Sequence, residues 1–362
     1  MAFPTDWGRK CKLTIQNAKV PGTLTDFPVL LDLSNLPSEM FDADGSYPAL
    51  NGGGDIRFSS DAAGSTQLAC EVVSFITNND PALGSAEIWV KVPSVASATD
   101  TDFYVWYNKS GEVQPAETDT YGKHNTWDSN FKCVHHNNQD PSGTAPQMID
   151  STGNSNDGTS TGTMTSGDLV AAKVGKGLDF DGSNDTISIS DNASLEFVAG
   201  QSYTISFWYS GDFNFSISNG LVSKGYDTST PVYPCYLAYI KATTHRLALF
   251  SRDSAGANSE DIGGNTDITD GAWYLCHAVR DSANNKKKLY VNGVSDAVDI
   301  DTLDYAEGVN ASPLVLMNHA NRYTEGKQDE VRISNAARSA DWITAEYNNQ
   351  NDPGTFVVEG TP

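Results

Sequence analysis

Only one stretch of this chain reads as a helix, and it closes a sequence otherwise divided into short strands. The segment Gly326 to Phe356 opens with an extended run, Glu330 to Ile333, and then offers a helix with a defined start. Ser339 is its capping residue, and Ala340, Trp342, Ile343 and Tyr347 form the stripe expected to be buried. Long runs of helix formers are missing elsewhere. Gly, Ser, Thr, Asn and Asp are abundant and scattered, as a fold with many turns requires. With 362 residues, 38% of them hydrophobic, the chain can bury an ordinary core in two medium domains or one large sandwich.

The strand signals fall into two groups. In the first, Lys10 to Ile15 alternates, Phe27 to Leu33 is a continuous apolar run, and Gly52 to Gly54 turns into Asp55 to Phe58. Leu68 to Phe75, Ala86 to Val92 and Asp102 to Tyr107 follow, with Pro93 ending one of them. Residues 111 to 126 are polar, hold Pro115 and Gly122, and read as a linker. In the second group, Phe131 to His136 is the first strand, Tyr203 to Tyr209 alternates clearly, and Tyr236 to Ile240, Arg246 to Phe250 and Trp273 to Arg280 follow. Lys287 to Gly293 runs into an Asn-Gly hairpin turn, and Leu314 to Asn318 precedes the closing segment. The expectation is an all-β chain of two antiparallel β-sandwich domains, 1–120 and 127–362, joined by a linker at 121–126.

Net charge is −23, from 46 acids against 23 bases. A field of that sign repels phosphate backbones, so nucleic acid is excluded as a partner class. No stretch is long and apolar enough for membrane insertion. The five cysteines, Cys11, Cys70, Cys133, Cys235 and Cys276, are widely spaced and read as buried thiols rather than a disulfide framework. The N-terminal residues show no basic region followed by an apolar run, so no signal peptide is expected.

The two halves resemble known families. Trp7 to Lys10 (W-G-R-K), Asp26 to Leu31 (D-F-P-V-L-L), Gly53 to Phe58 (G-G-D-I-R-F), Glu87 to Pro93 and Tyr104 to Asn108 resemble a domain of unknown function often found before laminin-G-like jelly rolls. Residues 127 to 356, with the closing strand and helix, resemble laminin-G-like, concanavalin A-like jelly rolls with a short C-terminal helix. The resemblance implies a jelly roll that binds rather than catalyses, as in phage structural and bacterial surface proteins.

Several residue sets could carry chemistry. Asp150, Asn154 and Asp157, with Gly153 permitting a tight turn, offer hard oxygens at short spacing, a set suited to a structural Ca2+. The resemblance implies that Asp329 joins them. The same residues also serve as Asx turns. Asp179 to Asp185 reads as a hairpin turn, and Cys133, His135 and His136 as strand packing rather than zinc. Asp329 and Glu330 are adjacent and expected on opposite faces of their strand, and no E-x-D-x-x-E triplet or G-x-S-x-G occurs. For glycans, Tyr226, Tyr233 and Tyr236 in or beside one loop, and Tyr323 with Asn321 and Arg322 in another, are the candidate stacking and polar groups.

These readings converge on a non-enzymatic structural or adhesion protein. The expected setting is a phage virion, as a capsid decoration or tail-fibre component with a lectin-like glycan-binding domain. The expected partners are other virion proteins and surface glycans. The alternatives are a secreted bacterial carbohydrate-binding adhesin at the cell surface and a polysaccharide-active enzyme. No coiled-coil heptad or collagen repeat enforces an oligomer.

Overall fold

The computed structural model describes residues 3–198, 200–213, 217–225, 235–252, 259–300 and 311–362. Tertiary contacts divide the chain into two units, Met1–Asp128 with Thr344–Pro362, and Ser129–Ile343.

In the first unit, a five-stranded antiparallel sheet runs in the order Val357–Glu359, Arg9–Ile15, Thr101–Tyr107, Arg57–Ser59 and Gln67–Leu68. A three-stranded sheet orders Leu24–Leu31, Ser85–Val95 and Cys70–Ile76. Alternation works as the sequence implies: Cys11, Leu13 and Ile15 are all buried, while Lys10 and Lys12 are not.

Two features of this unit depart from expectation. Residues 121–126 are not a free linker. The carbonyl of Tyr121 accepts from Cys70 N (3.3 Å). Trp127, expected to open the second domain, donates its indole N–H to Glu71 (2.8 Å) and packs 5.5 Å from Trp89. A large aromatic with a polar handle is held where both its ring and its N–H find partners, and that is here.

The second departure is at the C-terminus, which the sequence pattern places with the jelly roll. Val357–Glu359 instead pairs with Leu13–Ile15, and Phe356 lies 6.2 Å from Phe27. The helix Ala340–Asn351 contributes to the same unit through Asn349. Its side-chain Oδ1 accepts from Leu30 N (2.7 Å) and its Nδ2 donates to Leu30 O (3.1 Å), capping the outer edge of Leu24–Leu31. Both contacts cover sheet edges that would otherwise present unpaired backbone groups.

The second unit is a double sheet. One sheet orders Leu169–Ala171, Lys176–Asp181, Glu325–Ser334, Tyr203–Ser210, Tyr274–Asp281, Lys286–Val291 and Val294–Ile300, with Phe131–His135 paired to the far half of Glu325–Ser334. The other orders Ser259–Asp267, Arg246–Arg252, Tyr236–Lys241, Asn219–Lys224, Leu314–Leu316, Thr186–Ile189 and Gly158–Thr161. Every pairing among these strands is antiparallel. Phe207, Val331 and Ile333 from one sheet and Leu221, Ala238 and Leu249 from the other share one core. At the predicted hairpin, Asn292 (φ 51°) and Gly293 (φ 76°) are both left-handed, as a tight two-residue turn demands. Ser259–Asp267 carries no strand signal in the sequence, because its S-E-D-I-G-G-N-T-D run lacks an apolar alternation.

Ser339 caps the helix, its hydroxyl accepting from Trp342 N (3.2 Å). Trp342 and Ile343 are buried as expected, but Ala340 is exposed and Tyr347 half-buried. Ala345, Glu346, Asn349 and Gln350 are buried instead. The later turns bury amides because Asn349 caps a strand's backbone, a polar task.

Candidate functional site

The residues expected to hold calcium do not fit the ion. Asp150 is buried, and both of its oxygens are occupied by the protein. Oδ1 accepts from Val134 N (3.0 Å) and Thr152 N (2.9 Å); Oδ2 accepts from Thr152 Oγ1 (2.8 Å) and Asn156 N (3.0 Å). Asp157 Oδ1 accepts from Asp150 N (2.8 Å), and Asn154 Nδ2 donates to Phe131 O (3.2 Å) and Thr152 Oγ1 (2.9 Å). Asp329 Oδ2 accepts from Val174 N (2.8 Å). Asp150, Asp157 and Asp329 do not bring three ligand atoms within 4.8 Å of one another. Calcium needs six to eight converging oxygens, and this loop directs its carboxylate at backbone N–H groups instead.

The Asp179 to Asp185 segment is a hairpin turn. Burial works against the charge of Asp181, but the backbone N–H groups of Ser183, Asn184 and Asp185 hold its carboxyl below the usual range.

Asp329 and Glu330 do not face opposite ways. Ser206 pairs with Arg332 and Trp208 with Asp329, so Glu330 and Val331 together oppose Phe207 in a β-bulge. Glu330 is left-handed there (φ 52°). Before the bulge Gln328 points inward, donating to Leu221 O of the facing sheet (3.1 Å); after it Val331 and Ile333 point inward. Both acids therefore lie on the outer face. On that face His136 Nδ1 lies 2.6 Å from Glu330 Oε1, and Arg332 Nη2 donates to Glu330 Oε2 (2.5 Å). Burial would raise the Glu330 carboxyl, but His136 and Arg332 override it and hold it low. Cys133 faces the core and its thiol is pushed up by burial.

Among the glycan candidates, Tyr226 and Tyr233 lie outside the described residues. Tyr236 is buried and donates its hydroxyl to Leu195 O (3.0 Å), which removes it as a sugar platform. Arg322 is exposed and Tyr323 half-buried, in a small hairpin pairing Asn318–His319 with Arg322–Tyr323.

A site the sequence did not signal lies on the outer face of the first sheet of this unit. It is a cleft of about 450 Å³. Asp179 and Asp181 reach it from Lys176–Asp181, alternating with the inward Leu178 and Phe180. In the neighbouring strand Lys327 pairs with Asp179 and Glu325 with Asp181. The chain leaving Tyr203–Ser210 adds Ser210, Gly211, the exposed Asp212 and the half-buried Phe213. This wall is held by Ser210 Oγ donating to Gly271 O and Gly271 N donating to Gly211 O, both at 2.9 Å. Gly326 (φ 128°) lets the strands approach, since a Cβ there would lie 2.8 Å from Ser210 O. Burial raises the Asp179 carboxyl; Lys327 offsets this in part and Asp168 adds to it. Glu325 is raised by burial and by Asp179 and Asp181. Acids from segments far apart in sequence meet only because the strands pair, so no local motif could announce the cleft.

Residues 181–344 match the family described as the concanavalin A-like lectin/glucanases superfamily, and residues 52–126 match domain of unknown function 2341. Along the chain the match to the domain of unknown function comes first and the concanavalin A-like match follows it. The cleft therefore belongs to a concanavalin A-like unit, although Asp168 and Asp179 precede the matched span. No curated protein matches the chain. Solved structures similar in fold include the binding domain of Paraclostridial Mosquitocidal Protein 1, at 18% identity over 60% of this chain and 52% of that one, with a TM-score of 0.48. The Botulinum neurotoxin serotype D ligand binding domain in complex with N-acetylneuraminic acid is 13% identical over 61% of this chain and 51% of that one, with a TM-score of 0.46. The receptor binding domain of the botulinum neurotoxin C/D mosaic serotype is 12% identical over 61% and 51%, with a TM-score of 0.45. The chain thus covers about half the length of these solved chains. No helix among the described residues is long and apolar enough to cross a membrane.

Proposed function

We propose that this protein is a non-enzymatic adhesion module whose concanavalin A-like unit binds glycan in the cleft between Phe213 and Glu325. One observation carries the reading: on a lectin-type double sheet, a concave site combines a half-buried aromatic ring with hydroxyl and carboxylate groups. A sugar ring stacks its C–H face on an aromatic and directs its hydroxyls to such acceptors. As part of the same proposal, the protein is a virion component, such as a capsid decoration or tail-fibre protein, and the cell surface of a bacterium is the alternative setting. Glycan-array binding by the full chain, repeated with Phe213→Ala, tests the site. Binding that survives the substitution unchanged removes it. Mass spectrometry of purified virions tests the setting, and absence from particles removes that part.

A second reading, a polysaccharide-active enzyme, draws on the raised carboxyls of Asp179 and Glu325 in the same cleft. A carboxyl raised by burial is the direction of shift a general acid needs. Release of reducing ends from any bound glycan, abolished by Glu325→Gln, would establish it in place of pure binding.

A further inference from the structure

We propose that the glycan taken by this cleft bears free amino groups, as in a chain of unacetylated hexosamines, and is neither sialylated nor rich in uronic acid. The inference rests on the assignment of the cleft to glycan binding. Five carboxylates and one lysine line the cleft, while the chain as a whole carries 46 acids to 23 bases. The excess of acid here is therefore more than the background charge supplies. An anionic sugar entering it would meet carboxylates on both walls.

The arrangement is also costly to the fold without such a ligand. Asp181 and Glu325 stand directly opposite each other across an antiparallel ladder, on the same outer face. Like charges in that relation destabilise a strand pair. Nearby, the Asp179–Lys327 pair shows the complementary arrangement, an ammonium opposite a carboxylate in the same wall. Burial is the main cause that raises the carboxyls of Asp179 and Glu325, and at Glu325 the neighbouring Asp179 and Asp181 add to it. A ligand ammonium beside Asp181 and Glu325 would extend the pattern that Lys327 begins.

The geometry favours ammonium groups on a sugar over a metal ion. Among the described residues, no three acids of this cleft bring ligand atoms within 4.8 Å of one another, whereas a divalent cation requires convergence. The carboxylates are spread around about 450 Å³, a volume suited to sugar residues. Phe213 supplies the face for a sugar's C–H groups, and its ring also favours a nearby cation.

The test is titration calorimetry of the full chain with four probes: a glucosamine oligomer, its fully N-acetylated counterpart, a sialylated oligosaccharide and calcium chloride. At about pH 5.5 the amines are protonated and ordinary carboxyls ionised. The glucosamine oligomer should bind at least about tenfold more tightly than the other sugars, and more weakly as salt rises. Asp212→Asn and Glu325→Gln should each weaken it several-fold, while Asp44→Asn, an exposed acid of the first unit, should leave it unchanged. Equal or tighter binding of the acetylated or sialylated sugar overturns the inference but leaves the glycan reading standing. An equal loss with Asp44→Asn overturns it as adsorption of a polycation to an acidic protein. Calcium binding that Glu325→Gln abolishes, without sugar binding, overturns it in favour of a metal. No binding by any sugar overturns the glycan reading itself and the inference with it.

Discussion

At the scale of single residues, Glu330 shows how a buried charge holds its place. It is fully buried, left-handed, and paired with both His136 and Arg332. Removing its charge leaves Arg332 buried without that carboxylate, so Glu330→Gln should destabilise the protein by about 3–5 kcal/mol in denaturant titration. The pH dependence has a definite sign. The folded carboxyl lies below its ordinary value of about 4.3, so its contribution is complete above that pH and is lost as pH falls through the lowered value. Glu330→Gln should flatten acid unfolding in that window; an unchanged acid limb would show that the pair contributes nothing. Asp150 makes the contrasting case. Asp150→Ala strands four donors and should cost about 3 kcal/mol, equally in calcium and in chelator. A cost present only in calcium would restore a metal to this loop. The turn role of Asp150 was legible in D-S-T-G-N, because Asx turns are local. The facing of Glu330 was not, because a bulge shifts the two-residue period by one without any marker in V-R-I-S.

At the scale of elements, the helix Ala340–Asn351 serves two tasks, and only one could be read in advance. Its cap at Ser339 and its anchor at Trp342 follow from local chemistry and an apolar pattern. Arg338 lies 4.1 Å over the Trp342 ring and Phe131 lies 6.4 Å away, so the side chain is packed on several sides. Trp342→Ala should cost roughly 3–5 kcal/mol, and a loss below about 1 kcal/mol would show that the helix start is not anchored there. The other task belongs to Asn349, whose amide pairs with both backbone groups of Leu30. Asn349→Leu should cost about 2 kcal/mol and raise amide exchange within Leu24–Leu31. No sequence pattern announces this, since the partners are 319 positions apart.

At the scale of the whole molecule, the chain's end completes the unit its beginning opens. Val357–Glu359 covers the outer edge of Arg9–Ile15. Ending the chain after Phe356 should expose that edge. Hydrogen exchange should then speed up in Arg9–Ile15, with more light scattering from edge-to-edge association, and leave Tyr203–Ser210 protected. Unaltered exchange in Arg9–Ile15 would show that the last strand is dispensable.

What the sequence determined by itself was local and periodic. Alternating strands, the Asn292–Gly293 turn, the Ser339 cap and the two family patterns settle an all-β chain with a concanavalin A-like unit. Each is an interaction between residues a few positions apart, or a periodicity that burial on one face imposes. Tertiary structure alone decided which strands meet and which faces their acids share. It returned the C-terminus to the first unit, turned Glu330 outward, and gathered Asp179, Asp181, Asp212 and Glu325 around one cleft. The physical reason is that strand pairing joins backbone groups regardless of their separation along the chain. Side chains brought together by a register or a bulge leave no mark on the local pattern.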